Sequence, residues 1–192
     1  MNTIKNVVIA VFMIGSSVLA QSEWKTDKVH SSVLFTVRHM VISEVTGSFK
    51  DYTVEMKSAK DDFSDAEVQA VIKVGSISTD NTTRDNHLKS DDFFNAEKYP
   101  EMKFRSTSFE KTGDKTYKIT GDLTIRDVTK NVTFDAVLNG TMKTNRGTLS
   151  AWKATTTINR FDYNLKWNKT IEAGGFIVGQ DVTITLNLEM NK

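Results

Sequence analysis

The chain has 192 residues, with 25 basic against 24 acidic, no cysteine and one proline. Without cysteine there is no disulfide or thiol chemistry, so a core must supply the stability, and this length suffices for one sizeable domain. The near-neutral balance argues against a general nucleic-acid binder, whose affinity rests on a basic surface that neutralises phosphates.

Lys5 is the one charge among the first twenty residues, and the run from Val7 to Ala20 is apolar or small. This pattern predicts a secretory signal peptide over residues 1–20, cleaved near Ala20, and hence a periplasmic or secreted protein. The run is short for a membrane span, which needs about twenty apolar residues. No linker-like stretch or fixed-period repeat divides residues 21–192, so a single domain is expected there.

Strands follow in order. Trp24 to Asp27 opens the domain, and Ser31 to His39 places Val33, Phe35, Val37 and His39 on one side, with Leu34, Thr36 and Arg38 on the other. Such alternation is the period of a half-buried strand. Thr46 to Met56 reads as one continued strand with Phe49 on one face and Tyr52, Val54 and Met56 on the other, which predicts a change of parity or a bulge near Lys50. Glu67 to Val74 turns Val68, Ala70, Ile72 and Val74 inward.

Thr79 to Pro100 interrupts the strands with helical signals. Asp80 or Asn81 can cap a helix start, and His87, Leu88, Phe93 and Phe94 give it an apolar side. Pro100 ends it, because a residue before proline is steered from helical angles. Arg84, Asp85 and His87 lie close together in this insert, near residues 80–98. They suit a lid bridged to a rim by charge-assisted hydrogen bonds better than a catalytic centre, since no acid pair or second histidine falls nearby.

Glu101 to Phe109 resumes the strands with Met102 and Phe104, and a turn at Gly113 and Asp114 leads back through Tyr117, Ile119, Leu123 and Ile125. A turn at Arg126 to Lys130 precedes Val132, Phe134, Ala136 and Leu138. Thr148 to Ile158 carries Trp152, Ala154 and Ile158, a loop spans Asn159 to Gly175, and Phe176 to Met190 closes the chain with Val182, Ile184, Leu186 and Leu188 inward. About eight strands joined mostly by short turns predict an all-β, closed antiparallel barrel rather than a two-sheet sandwich. One face of most strands carries Lys, Asp, Glu or Thr, so the apolar face points in and an outer-membrane barrel is disfavoured.

His30, Ser31, Phe35, Val37, His39, Gly47 and Phe49 form one recognisable set with Thr79, Arg84, Asp85, His87, Leu88, Phe93, Phe94, Tyr99 and Pro100. Gly121, Leu123 and Thr124, then Thr129 and Lys130, and finally Arg160 with Asp162 continue it. By these residues the chain resembles the YceI-like family of lipocalin-like, polyisoprenoid-binding proteins, over essentially all of residues 21–192. The resemblance implies an extended barrel around an elongated apolar tunnel that holds an isoprenoid lipid, such as the tail of an isoprenoid quinone.

The expected tunnel wall is Val33, Phe35, Val37, His39, Phe104, Leu123, Ile125, Phe134, Trp152, Ile158 and Val178. Phe93 and Phe94 form the lid, and Arg84, Asp85 and His87 the lid and rim. The competing reading of the same alternation is a solid core. His30 and His39, an odd number apart on one strand, face opposite ways, and no cysteine or carboxylate completes a ligand set at recognisable spacing. No metal, required cofactor or catalytic residue is therefore expected, and an apolar lipid is the expected partner. A small-molecule hydrolase or isomerase, or a ligand-free envelope stress or interaction protein, are the alternatives. The sequence leaves transient membrane contact and a homodimer open.

Overall fold

Apolar and polar residues alternate with a period of two along most of the chain, and the computed structural model turns that alternation into a barrel wall. It describes residues 21–170 and 174–192, so the leader expected over residues 1–20 lies outside the described residues. The strands are β1 (Ser22–Thr26), β2 (Ser32–His39), β3 (Ser43–Phe49), β4 (Tyr52–Ser58), β5 (Glu67–Lys73) and β6 (Ile77–Ser78). After helix α1 (Thr82–Lys89) come β7 (Glu101–Lys111), β8 (Thr116–Ile125), β9 (Val128–Thr144), β10 (Gly147–Asn159) and β11 (Val178–Asn191).

Eight strands close on themselves in the order β1, β4, β5, β7, β8, β9, β10, β11, every neighbour antiparallel. Closure removes the unpaired edges an open sheet would present. The outer face carries Thr53, Glu55, Lys57, Lys118, Asp122 and Lys153, all exposed, and the inner face Val54, Met56, Ile119, Leu123, Trp152 and Ala154, all buried. Burial of the apolar set therefore requires the inside of the barrel.

β11 changes partner along its length. Met190 and Asn191 pair with β1, whereas Val178 to Asn187 pair with β2, which carries β3 and the short β6 beside it. At the switch the Glu189 amide donates to Ser31 Oγ at 2.9 Å, which satisfies a ladder group that neither strand reaches. The barrel is thus closed by β1 at one end and extended by β2, β3 and β6 at the other.

Two expectations are corrected. The expected single strand from Thr46 to Met56 is two strands, β3 and β4, which do not pair with each other. The parity change at Lys50 is a corner between different neighbours instead of a bulge. The helical insert is also shorter than residues 80–98: only α1 is helical, and residues 91–98 are mostly turns. Asn81 is its cap, accepting the Arg84 amide at 2.9 Å. No residue of α1 is fully buried, so the caps and its anchoring, rather than an amphipathic face, hold it in place.

Two inward glycines make room for aromatic rings. A Cβ on Gly47 would lie 2.3 Å from the Phe35 ring, and one on Gly121 would lie 2.6 Å from that of Phe104. Glycine at these positions lets each ring fold over the neighbouring strand and line the bore instead of crossing it.

Candidate functional site

Sealing the end closed by β1 is an aromatic cluster. Phe63, 1% exposed, packs on Trp24 at 5.3 Å and on Trp152 at 5.0 Å between centroids, and Tyr117 lies 5.2 Å from Trp152. The Tyr117 hydroxyl donates to the Asp62 carbonyl at 2.9 Å, which fixes the loop that delivers Phe63. Above this floor lies a cavity of about 170 Å³ whose wall is drawn from almost every strand.

Twelve of the residues expected at the wall or lid surround this one cavity: Val33, Phe35, Val37, Phe93, Phe94, Phe104, Leu123, Ile125, Phe134, Trp152, Ile158 and Val178. His39 does not. It lines a second chamber of about 200 Å³ with Arg38, Arg84, His87, Thr79, Trp167 and Ile177. Phe35, Val37, Leu88, Phe93 and Val178 line both chambers and form the partition between them. Where the resemblance implies one elongated tunnel, the structure has an apolar inner chamber and a vestibule, divided by the side chains of these five residues.

Volume sets what each chamber takes. An apolar cavity of roughly 150 Å³ stays dry and accepts a benzene-sized guest. The inner chamber accordingly accommodates a small apolar guest of that order as it stands, and a longer one requires the partition to open into the vestibule. Around the bore Ala70, Ala136 and Ala154 keep the wall thin, and the last two face each other across β9 and β10.

The insert is tied down by the residues expected at its rim. Asp85 accepts from the Thr79 amide at 2.8 Å and from the Thr79 hydroxyl at 2.6 Å, while Arg84 Nε donates to that hydroxyl at 2.7 Å. Asp85 lines neither chamber. His87 Nε2 meets Asp92 at 2.8 Å, and its ring stands edge-on to Phe93 and Trp167 at 5.0 and 4.9 Å. Phe94 stands edge-on to Phe49 at 6.0 Å. Arg126 donates to the Phe93 carbonyl at 2.7 Å and to the Asn164 carbonyl at 3.2 Å, joining the insert to the loop before β11.

Sequence reasoning named the most buried charge of the site only within the family set and gave it no place at the wall. Arg160, 3% exposed, lines the inner chamber from a 3-10 turn (Arg160–Tyr163) within the expected loop. Its guanidinium donates to the carbonyls of Gly179 at 2.7 Å, Trp167 at 2.9 Å and Val178 at 3.0 Å, and to that of Leu165. Burial pushes its pKa down to about 10. Fixed to backbone acceptors, it ties Leu165 and Trp167 to Val178 and Gly179 beside the vestibule. Phe49, Met102, Val182, Ile184 and Leu186 were also missed as wall residues, though their alternation was visible.

His30 has closer acidic neighbours than the sequence indicated. Its Nδ1 lies 3.0 Å from Asp27 and 3.8 Å from Glu189, and donor atoms of all three groups fall within 4.8 Å of one another. The hydrogen bond to Asp27 raises the His30 pKa and lowers that of Asp27, for which it is the largest cause. The ion pair therefore contributes fully between the unfolded carboxylate and imidazole values, about pH 4 to 6.5. It is lost as pH rises through the elevated His30 value or falls through the depressed Asp27 value. Proton NMR is expected to show His30 titrating above 6.5, and Asp27→Asn to move its midpoint down; an unmoved midpoint would refute the pairing.

A YceI-like domain model matches residues 24–190 of the chain. A UPF0312 protein of Staphylococcus aureus (strain N315) is 36% identical over 167 residues, covering 86% of this chain and 95% of its own. The crystal structure of a Campylobacter jejuni YCEI protein is similar at TM-score 0.70 and 34% identity, covering 81% of this chain and 89% of that one. Burkholderia cenocepacia BcnA, at TM-score 0.75 and 22% identity, covers 85% of this chain and 98% of its own and shares the fold. So does a polyisoprenoid binding domain from Saccharophagus degradans, implicated in plant cell wall breakdown, at TM-score 0.64 and 14% identity, covering 88% and 97%.

Proposed function

The chain belongs to the YceI-like family, and from that membership and the shape of its interior we propose that it binds a long apolar lipid of isoprenoid type, without catalysis, as a carrier, store or sensor in the cell envelope. The observation that carries this reading is the inner chamber. Its wall is apolar throughout except for Arg160, whose donors are committed to backbone carbonyls. A wall with no free polar group selects by length, shape and dryness, which is the recognition a hydrocarbon tail permits.

Each buried methylene contributes about 0.8 kcal/mol, so three or four isoprene units give on the order of ten kcal/mol gross, and ordering of the tail lowers the net value. The polyisoprenoid-binding description of the Saccharophagus degradans domain supports the same class of ligand. In this arrangement the end of the tail occupies the inner chamber, the rest passes the opened partition into the vestibule, and a quinone or other polar head stays at the vestibule. Arg38, His39, Arg84 and His87 offer donors to its oxygens there.

Organic extraction of the purified protein, followed by mass spectrometry, tests the reading. An isoprenoid lipid recovered in near-stoichiometric amount is expected. Protein that carries no lipid and takes none up from a quinone dispersion would overturn it.

A further inference from the structure

We propose that the tip of the β2–β3 hairpin, Met40, Val41 and Ile42, is a membrane-docking element that seats the vestibule on a bilayer surface. The inference rests on the lipid-binding reading and adds the place where the cargo crosses. All three residues are apolar and consecutive, and they are 41%, 54% and 90% exposed. Apolar side chains gathered at a convex tip cost solubility and add nothing to the core.

The backbone there is also unfavourable. Met40 and Val41 have φ of 50° and 69°, in the left-handed region where glycine or asparagine sits without strain and a β-branched residue is an outlier. An Asn-Gly pair would make the same turn more easily. The tip thus gives up both backbone ease and solubility to present greasy side chains, which points to a use outside folding.

Its position identifies the surface. The Met40 amide donates to the Ile177 carbonyl at 2.9 Å, and Ile177 and His39, next to the tip, both line the vestibule. Lys169, whose carbonyl accepts the Ile177 amide, is exposed, as is Arg38, two residues before the tip. Among the described residues, the acid Glu44 opposes Arg38 in register. Apolar side chains flanked by two cations suit a bilayer with anionic headgroups. Three side chains fall far short of the roughly 800 Å² per partner that a stable protein interface buries, whereas a fluid bilayer moulds around a convex tip. The vestibule faces the phase in which an isoprenoid tail dissolves.

The test is flotation with unilamellar vesicles of three parts phosphatidylcholine to one part phosphatidylglycerol. It uses the full-length chain as the producing cells process it, with the same N-terminus verified by mass in every variant. Met40→Ser, Val41→Asn and Ile42→Ser combined should cut the floating fraction at least tenfold. Asparagine relaxes the turn, so this variant is expected to fold at least as well. Met142→Ser, which removes an exposed apolar side chain on β9, should leave flotation unchanged. Equal flotation of the triple variant and the wild type, or flotation of neither, overturns the proposal, as does a tip-dependent dimer in sedimentation without vesicle binding. Extraction of lipid from the same samples keeps the two readings apart: lipid with no flotation removes the docking tip alone, and tip-dependent flotation without lipid removes the cargo alone.

Discussion

Phe35→Asp combined with Val37→Asp is expected to lower the lipid recovered with the protein at least tenfold. Both side chains line the inner chamber and belong to the partition, and both sit mid-strand, where Phe35 pairs with Gly47 and Ile184, and Val37 with Val45 and Val182. A carboxylate on that wall is either ionised in a low-dielectric surrounding, at several kcal/mol, or held neutral with a raised pKa. In either state it draws water into the bore. A hydrocarbon tail then exchanges a dry wall for a wet one and loses the term that holds it.

Two buried acids also strain the barrel, so a variant that adds no polarity separates loss of ligand from loss of fold. Ala154→Phe fills the bore beside its cross-strand neighbour Ala136, and overpacking of this kind costs about 1–3 kcal/mol, which a domain of this size tolerates. It is expected to fold, show an ordinary thermal transition and carry no lipid. Undiminished lipid in both variants would mean that the ligand lies elsewhere.

Much of the barrel was legible because a strand half in water writes its two faces into the sequence. Val33, Phe35 and Val37, or Tyr117, Ile119, Leu123 and Ile125, alternate mostly with charged and hydroxyl residues, and each set does point inward; Leu34, of the other parity, also lines the inner chamber. Alternation names a face and never a neighbour. The parity change at Lys50 was therefore visible but its cause was not, a corner after which β4 pairs with β1 and β5 instead of β3, and neither was the partner switch of β11 at Glu189. His39 has the parity of Val33 and Val37 but lies beyond the partition, so parity alone assigned it to the wrong chamber. Glu189 reaches His30 from 159 residues away, a distance no spacing rule spans. Arg160, which stands in the family set, was given no place at the site for a related reason. Carbonyl acceptors leave no signature in side-chain order, so a cation satisfied by backbone reads like any arginine in a loop.

Arg160→Met is expected to destabilise the protein by about 3 kcal/mol or more, because methionine matches the stem and leaves four carbonyls without their donor. Hydrogen bonds from a charged donor contribute about 1.5–3 kcal/mol each, and acceptors stranded in a buried site add a desolvation cost. For a domain of this size the change lowers the Tm by roughly 6 to 12 °C. Arg160→Lys should recover little, since an ammonium has three donors on a single atom and cannot span acceptors that a planar fork reaches together. The damage should be local first. Hydrogen exchange is expected to quicken at the amides of residues 164–170 and 174–179, and Phe93, which packs on Trp167 at 5.3 Å, should lose its support on the vestibule side. Lipid would then be released faster from a barrel that is still closed at its aromatic floor. An unchanged Tm with unchanged exchange in this segment would show that the loop holds itself and that Arg160 is dispensable.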